Sequence, residues 1–300
     1  MSDATSSPGG AHYPFITAGV AEMHQQLTDH GLLSHALELE ALGYTVIPDA
    51  LEPDLRSELT EQLLACAAAD DAPVDTESGG CHRDRTQEVP LLLSRGGAPF
   101  QELVLGTRTL LLITYLLGAQ RQLSSVTGYV KGPGLCALGI HSDTAYVPDP
   151  LPPYAQIANI NYCLTDYTEA NGCLSIVPGS HRFCHRPREG QGTRDAIPVL
   201  APAGAAIIFH GNTWHGAYPR TEPGVRLTIS TLFARMYMRP QEDYARVFTA
   251  DEIKTMAPQL AELIGASPAT GWADLPEFDD ITTRRRTRAP SYYLTRAQHG

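Results

Sequence analysis

The stretch "LGIHSDTAYVPDP" places His141 and Asp143 one residue apart, directly after a short apolar run. Neutral imidazole and carboxylate oxygen together suit iron, zinc or manganese, but two ligands alone hold a divalent ion weakly. A third must come from elsewhere among the 11 histidines. His12, His24, His30 and His35 lie in the N-terminal part, His82 in a loop, and His299 at the far end. His181 and His185 follow "VPGS", on a turn after a strand. His210 and His215 flank "GNTW", directly after "AAIIF", a run that reads as a strand leaving the core. Position favours His215, because Arg226 follows it at the start of the last strong strand. An arginine inside a barrel needs a partner for its planar fork, and the carboxylate of a small molecule satisfies it with two parallel hydrogen bonds. Any one of these residues alone is an ordinary core or surface side chain; the joint pattern carries the reading.

The elements that position these residues fall into two groups. Residues 1–15 are rich in Ser, Gly and Pro and predict a disordered segment. Residues 16–120 read as mainly helical: leucines recur at three- and four-residue steps before the short strand "YTVIP", "EPDLRSELTEQLLACAA" opens a helix near Pro53, and a second helical region covers about 98–119. Residues 70–90 read as a polar loop. After Gln120 the runs become short and β-like: "LSSVTGYVK", "CALGIH", "QIANINYCL", "GCLSIV", "AAIIF" and "VRLTISTLF", separated by Gly, Pro, Asn and Asp. This spacing predicts an all-β sandwich or barrel over 121–236, with helices outside it and a helical tail over 237–300. The whole of 16–300 is taken as one domain.

Strand parity predicts which side chains face inward. Val225, Leu227 and Ile229 share one face, and Arg226, Thr228 and Ser230 the other. Ala158, Ile160, Tyr162 and Leu164 oppose Ile157, Asn159, Asn161 and Cys163. The plainer reading turns each polar stripe to water. The reading adopted turns it into the barrel, with the apolar stripe beneath the helices, because a polar interior suits a bound polar ligand.

Composition narrows the function. A hydrophobic share of 43% is ordinary for a globular chain, and a net charge of −11 argues against nucleic acid or an anionic membrane as partner. The basic run "TTRRRTR" reads as a solvated surface segment. The N-terminus lacks the pattern of a signal peptide, and "TLLLITYLLGA" is too short to span a bilayer. The six cysteines show no zinc spacing and are expected to be free thiols in a reducing cytoplasm.

With these residues assembled, the chain resembles the phytanoyl-CoA dioxygenase-like family of iron(II)/2-oxoglutarate-dependent oxygenases. The likeness rests on "LEALGYTVIPDAL", "HSD" at 141–143, "NGCLSIVPGSH" at 171–181 and "WHGAYPRTEPGVR" at 214–226. The resemblance implies a mainly β fold with flanking helices, built on a double-stranded β-helix (jelly-roll, cupin-type) core. It implies that His141, Asp143 and His215 hold Fe(II) and that Arg226 pairs with the distal carboxylate of 2-oxoglutarate, with dioxygen as the other co-substrate. His181 is read as shaping a turn. Many relatives carry Ser or Thr two residues after the distal histidine; here that position is Ala217, so Thr228, Asn159 or Asn161 is expected to supply the missing hydrogen bond. Relatives that chlorinate carbon have Ala or Gly where this chain keeps Asp143, so hydroxylation of an unactivated C–H in a small organic molecule is the first reading. Desaturation and ring closure stay open. So do a metal enzyme using no keto acid and a non-catalytic binding protein on the same barrel. A zinc hydrolase would leave Arg226 unexplained. Tyr129, Lys131, Thr144 and Tyr146 are the candidate substrate residues, and "TAYVPDPLPPYAQ" and "TESGGCHRDRTQ" are candidate covers for the site.

Overall fold

The computed structural model describes residues 14–70, 86–134 and 136–266. Helices α1 (Pro14–Asp29) and α2 (Leu33–Leu42) lead into strand β1 (Tyr44–Ile47). α2 stops where Gly43 takes a φ of 81°, a left-handed conformation that glycine adopts without steric cost, and Gly43 N donates to Leu39 O at 3.0 Å. α3 (Pro53–Ala69) begins with Pro53, where no amide hydrogen is needed, and has Asp54 in its positive first turn.

The polar stretch expected to be loop up to residue 90 instead contains strand β2 (Thr86–Val89). It lacks the apolar alternation that betrays a strand, because it is a short edge strand paired on one side only, to β3. The helical region expected over about 98–119 comprises α5 (Ala98–Val104) and α6 (Thr107–Leu117), bent by 50° at Leu105 and Gly106, after the short α4 (Leu92–Arg95). No single described helix is long and apolar enough to cross a membrane.

Strands β3 (Arg121–Lys131), β4 (Leu138–His141), β5 (Ile157–Cys163), β6 (Leu174–Ile176), β7 (Ile197–Val199), β8 (Ala206–His210), β9 (His215–Ala217) and β10 (Arg226–Arg235) complete the core. The larger sheet has the order β1-β8-β5-β10-β3-β2, and the smaller β4-β9-β6-β7, with antiparallel neighbours throughout. Two antiparallel sheets with helices on one side make the jelly roll that the resemblance implies. Short helices α7 (Tyr244–Val247), α8 (Ala250–Thr255) and α9 (Pro258–Leu263) follow. Thr249 and Glu252 form a reciprocal capping box on α8. The "TTRRRTR" run and most of "TESGGCHRDRTQ" lie outside the described residues.

Parity sorts the larger sheet. Ala158, Ile160, Tyr162 and Leu164 of β5 and its exit, with Leu227, Ile229 and Phe233 of β10, join Leu59, Leu63, Leu110 and Ile113 of the helices in one buried cluster. Each such leucine, isoleucine or phenylalanine contributes about 1.5–3 kcal/mol by leaving water. Between the sheets a second cluster gathers Cys163, Leu174, Ile176, Ile207 and Phe209. Cys66, Cys163, Cys173 and Cys184 are free thiols, but Cys136 is disulfide-bonded, which corrects the expectation of six free thiols. Pairing depends on tertiary approach, and the spacing of cysteines in sequence carries no trace of it.

The carbonyl end of α2 is capped from across the molecule. Gly43 O accepts from His210 N at 2.9 Å and from Thr213 Oγ1 at 2.9 Å, and Leu42 O accepts from Gly179 N at 2.8 Å. His210 and Thr213 belong to the turn that leads into His215, and Gly179 to the turn after β6, whose Ile176 pairs with His215.

Candidate metal centre and its cavity

β4 and β9 run side by side, and their register sets His141 opposite His215 with ring centroids 4.3 Å apart. Gly216 makes this approach feasible: a Cβ there would overlap the Leu138 carbonyl oxygen. Each imidazole is held by Nδ1, His141 against Gly139 O and His215 against Thr213 O, both at 2.9 Å. With Nδ1 bonded to a carbonyl, the proton sits on that nitrogen and the Nε2 lone pair is free.

Both Nε2 atoms face Asp143. His141 Nε2 lies 3.7 Å from Asp143 Oδ1, and His215 Nε2 lies 3.5 Å from Oδ2. The ligand atoms of the three residues fall within 4.8 Å of one another. Asp143 is fixed through its backbone N, which donates to Gly211 O at 3.1 Å, and through Oδ2, which accepts from Asn159 Nδ2. Burial holds the His215 imidazole below the ordinary histidine range, with the Asp143 carboxylate pulling the other way. Two neutral imidazoles and one carboxylate on one side of a point are the donor set that suits a divalent iron, and they leave the other side open.

The "PGSH" motif serves this arrangement indirectly. Ser180 Oγ accepts from Trp214 N at 2.8 Å and donates to Val177 O at 2.6 Å, which ties the turn to the residue before His215. His181 sits within 3.2 Å of Glu40 O and is not part of the ligand cluster.

The three ligands line a cavity of about 330 Å³ between the sheets. Arg226, Thr228 and Ser230 of β10 and Asn159 and Asn161 of β5 line it too, which is the inward turn that parity predicts. Arg226 is 7% exposed, its Nη1 donates to Gly172 O, and its Nε has no partner. Among the described residues it makes no ion pair. A buried guanidinium without a carboxylate is costly, and an anionic ligand in the cavity would relieve that cost.

Tyr167, which pairs with Ala201 in an isolated β-bridge and carried no sequence signal, packs under this cation with the guanidinium carbon 4.7 Å from its ring centroid. Its hydroxyl meets Thr228 Oγ1 at 2.6 Å. Ala217 lines the cavity, so the Tyr167–Thr228 pair is the hydroxyl group nearest in role to the one missing there. Asn159 is committed to Asp143, whereas the Asn161 side chain has no protein partner among the described residues.

Of the candidate substrate residues, Tyr129 lines the cavity and three do not. Lys131 pairs across the strands with Arg226 and donates Nζ to Tyr218 O at 3.1 Å. Thr144 is buried beside the Ser142 hydroxyl, and Tyr146 points away at 88% exposure. The chain turns sharply after Asp143, so side chains beyond it leave the cavity wall. Glu88, Thr86, Ser125, Thr127 and Gln241 are wall residues the sequence reading missed. For Ser125 and Thr127 the signal existed: they share the parity of Tyr129 on β3.

Residues 39–228, more than half of the chain, match the phytanoyl-CoA dioxygenase (PhyH) family. The chain belongs to this family. Within and around it, the chain is 27% identical over 175 residues to Dioxygenase af480 of Aspergillus fumigatus, covering 57% of this chain and 56% of that protein. It is 26% identical over 153 residues to Dioxygenase aneA of Aspergillus aculeatus, covering 49% and 51%. The chain thus spans about half the length of the curated relatives it matches. Among solved structures it is similar to the non-heme α-ketoglutarate-dependent epimerase SnoN from nogalamycin biosynthesis, with TM-score 0.58, 20% identity and coverage of 71% of this chain and 87% of that one. It is also similar to HygX from Streptomyces hygroscopicus with nickel and 2-oxoglutarate bound, with TM-score 0.55, 16% identity and coverage of 73% and 93%. These likenesses establish a shared jelly-roll fold.

Proposed function

We propose that the chain is an Fe(II)- and 2-oxoglutarate-dependent oxygenase that hydroxylates an unactivated C–H of a small organic molecule. The observation that carries this is the meeting, in one cavity, of a two-histidine-one-carboxylate cluster with a buried arginine that has no ion-pair partner among the described residues. Family membership agrees with it.

His141, Asp143 and His215 would hold the iron through two Nε2 atoms and a carboxylate oxygen. Ferrous iron with 2-oxoglutarate and dioxygen supplies an oxidant able to take hydrogen from an inert carbon, the keto acid leaving as succinate and carbon dioxide. Arg226 binds the distal carboxylate of the keto acid with its fork and so fixes which end points at the ligand cluster. The Tyr167–Thr228 pair orients that fork and offers a hydroxyl beside it. Leu138, Leu174, Phe209, Ala217 and Leu232 give the cavity apolar surface that limits water at the reacting carbon. Asp143 fills the position that must be vacant for halide transfer, which favours hydroxylation. Desaturation, cyclisation and epimerisation use the same parts with a different substrate pose; SnoN is an epimerase, and the similar SnoK is a carbocyclase.

The test is anaerobic addition of Fe(II) and 2-oxoglutarate to the purified protein, followed by oxygen-dependent turnover with a metabolite panel. A weak visible charge-transfer band, succinate release and a product heavier by one oxygen atom are expected. A product lighter by two hydrogens would move the assignment to desaturation or ring closure. Folded protein that gives no band and binds no 2-oxoglutarate would sink the proposal.

A further inference from the structure

We infer that this cavity recognises a substrate bearing a protonated amine beside hydroxyl or amide groups, with Glu88 as the charge partner. The inference rests on the oxygenase reading of the same site and specifies its substrate class.

The cavity wall carries few charges. Asp143 belongs to the ligand cluster and Arg226 to the keto acid. Glu88 is the remaining charged Asp, Glu, Lys or Arg side chain in the wall among the described residues. It stands on the edge strand β2, opposite Tyr129 of β3, and makes no hydrogen bond or ion pair with any described residue. An exposed carboxylate at the edge of the wall, with no partner among the described residues, is a ready acceptor for a cationic donor, and a charge-assisted bond is stronger than a neutral one.

The surrounding wall offers neutral polar groups in a row. Ser230 of β10 is flanked in register by Thr127 of β3 and Asn161 of β5. All three line the cavity, and none of their side chains has a protein partner among the described residues. Gln241, whose Oε1 accepts from Ser125 Oγ at 2.9 Å, adds an amide. Apolar surface lies nearer the ligand cluster: on the larger sheet Phe209 packs on His215 with ring centroids 4.8 Å apart and Leu232 is opposite Asn159, and on the smaller sheet Ala217 faces Leu138 and Leu174. The wall therefore changes character along the larger sheet, with carbon surface at the ligand cluster and hydrogen-bonding surface towards β3 and Glu88 of β2. A substrate that lays an inert C–H over the cluster presents its polar end to β3 and β2. Arg226 is the sole Lys or Arg in the described wall, so an acyl-CoA or phosphorylated substrate would find no second cation, in keeping with the net charge of −11.

The experiment uses the full chain loaded with Ni(II) and 2-oxoglutarate, which binds without turnover, and titrates three matched probes: glucosamine, N-acetylglucosamine and glucosamine 6-phosphate. Calorimetry is expected to give a Kd for the amine at least about tenfold below that of the amide, with the phosphate weakest. Added salt should raise the amine's Kd alone. Glu88→Gln should erase the amine preference, and Glu88→Asp should restore part of it. Equal affinities, tightest binding of the phosphate, no binding by any probe, or an unchanged preference in Glu88→Gln would each overturn the inference. The titration of 2-oxoglutarate that precedes it reports on the oxygenase reading separately, and repeating the probe series on metal-free protein keeps the two results distinct.

Discussion

Asn159 donates a hydrogen bond from Nδ2 to Oδ2 of Asp143, the carboxylate oxygen that also faces His215. The contact comes from β5, a strand of the other sheet, so the ligand cluster is braced across the barrel. Asn159→Ala should keep the fold and weaken divalent-metal binding by about 10–100-fold, the usual effect of losing a group that orients a ligand. Titration with Ni(II) or Mn(II) would measure this. Metal affinity equal to wild type would show that the Gly211 contact alone positions Asp143.

Arg226→Ala should raise the Kd of 2-oxoglutarate by at least about thirtyfold, since truncating one partner of a buried charge pair costs roughly 2–5 kcal/mol. Metal affinity should change little. Arg226→Lys should recover only part of the loss, because a point charge lacks the fork. An undiminished affinity for the keto acid in Arg226→Ala would favour a metal enzyme that uses no keto acid.

Gly216→Ala tests the closeness of β4 and β9. Its methyl group must overlap the Leu138 carbonyl, and backbone cannot swing aside as a flexible side chain can. The strands should separate and carry His141 away from His215. Metal affinity should fall by at least about tenfold, with a smaller loss of thermal stability. If metal binding survives intact, the two histidines do not depend on that strand contact.

Lys131 gives a pH signature. Burial first, then the neighbouring Arg226 and Arg220, brings its ammonium down to about 7. In the unfolded chain a lysine titrates near about 10.4. Between these values the unfolded chain holds a proton that the folded chain has released, so this group makes stability rise with pH from about 7 to about 10. Below about 7 the folded protein carries the full penalty. Lys131→Met removes it, and the variant should be more stable than wild type at neutral pH and below, with the advantage shrinking as pH rises. Urea unfolding of both proteins across this range, without metal or keto acid, measures the difference; an advantage that does not vary with pH would contradict the assignment.

The larger sheet was legible because alternation of side chains along β5 and β10 is long enough to read, and the helices needed an apolar face to cover. His141 and Asp143 announced themselves by proximity in sequence. His215 needed the joint argument from Arg226. β7 and β9, three residues each, are too short for any period to show, and β2 hid inside a polar stretch. Glu88 was missed with it. Tyr167 was missed because an isolated bridge residue belongs to no alternating run, and only the folded chain brings its ring beneath Arg226. The disulfide at Cys136 was invisible for the same reason: it is a property of proximity in space.

The capping of α2 has a further consequence. Its last carbonyls are satisfied by Gly179 N, His210 N and Thr213 Oγ1, so the helix terminus and the turns bearing His215 form or fray together. Loading the protein with metal should then slow hydrogen exchange at the amides of α2, far from any ligand atom. Conversely, trimming the chain back to its strands would strip those donors of their acceptors and loosen the grip on the ion, which makes the amino-terminal helices a buttress for the chemistry rather than an ornament to it.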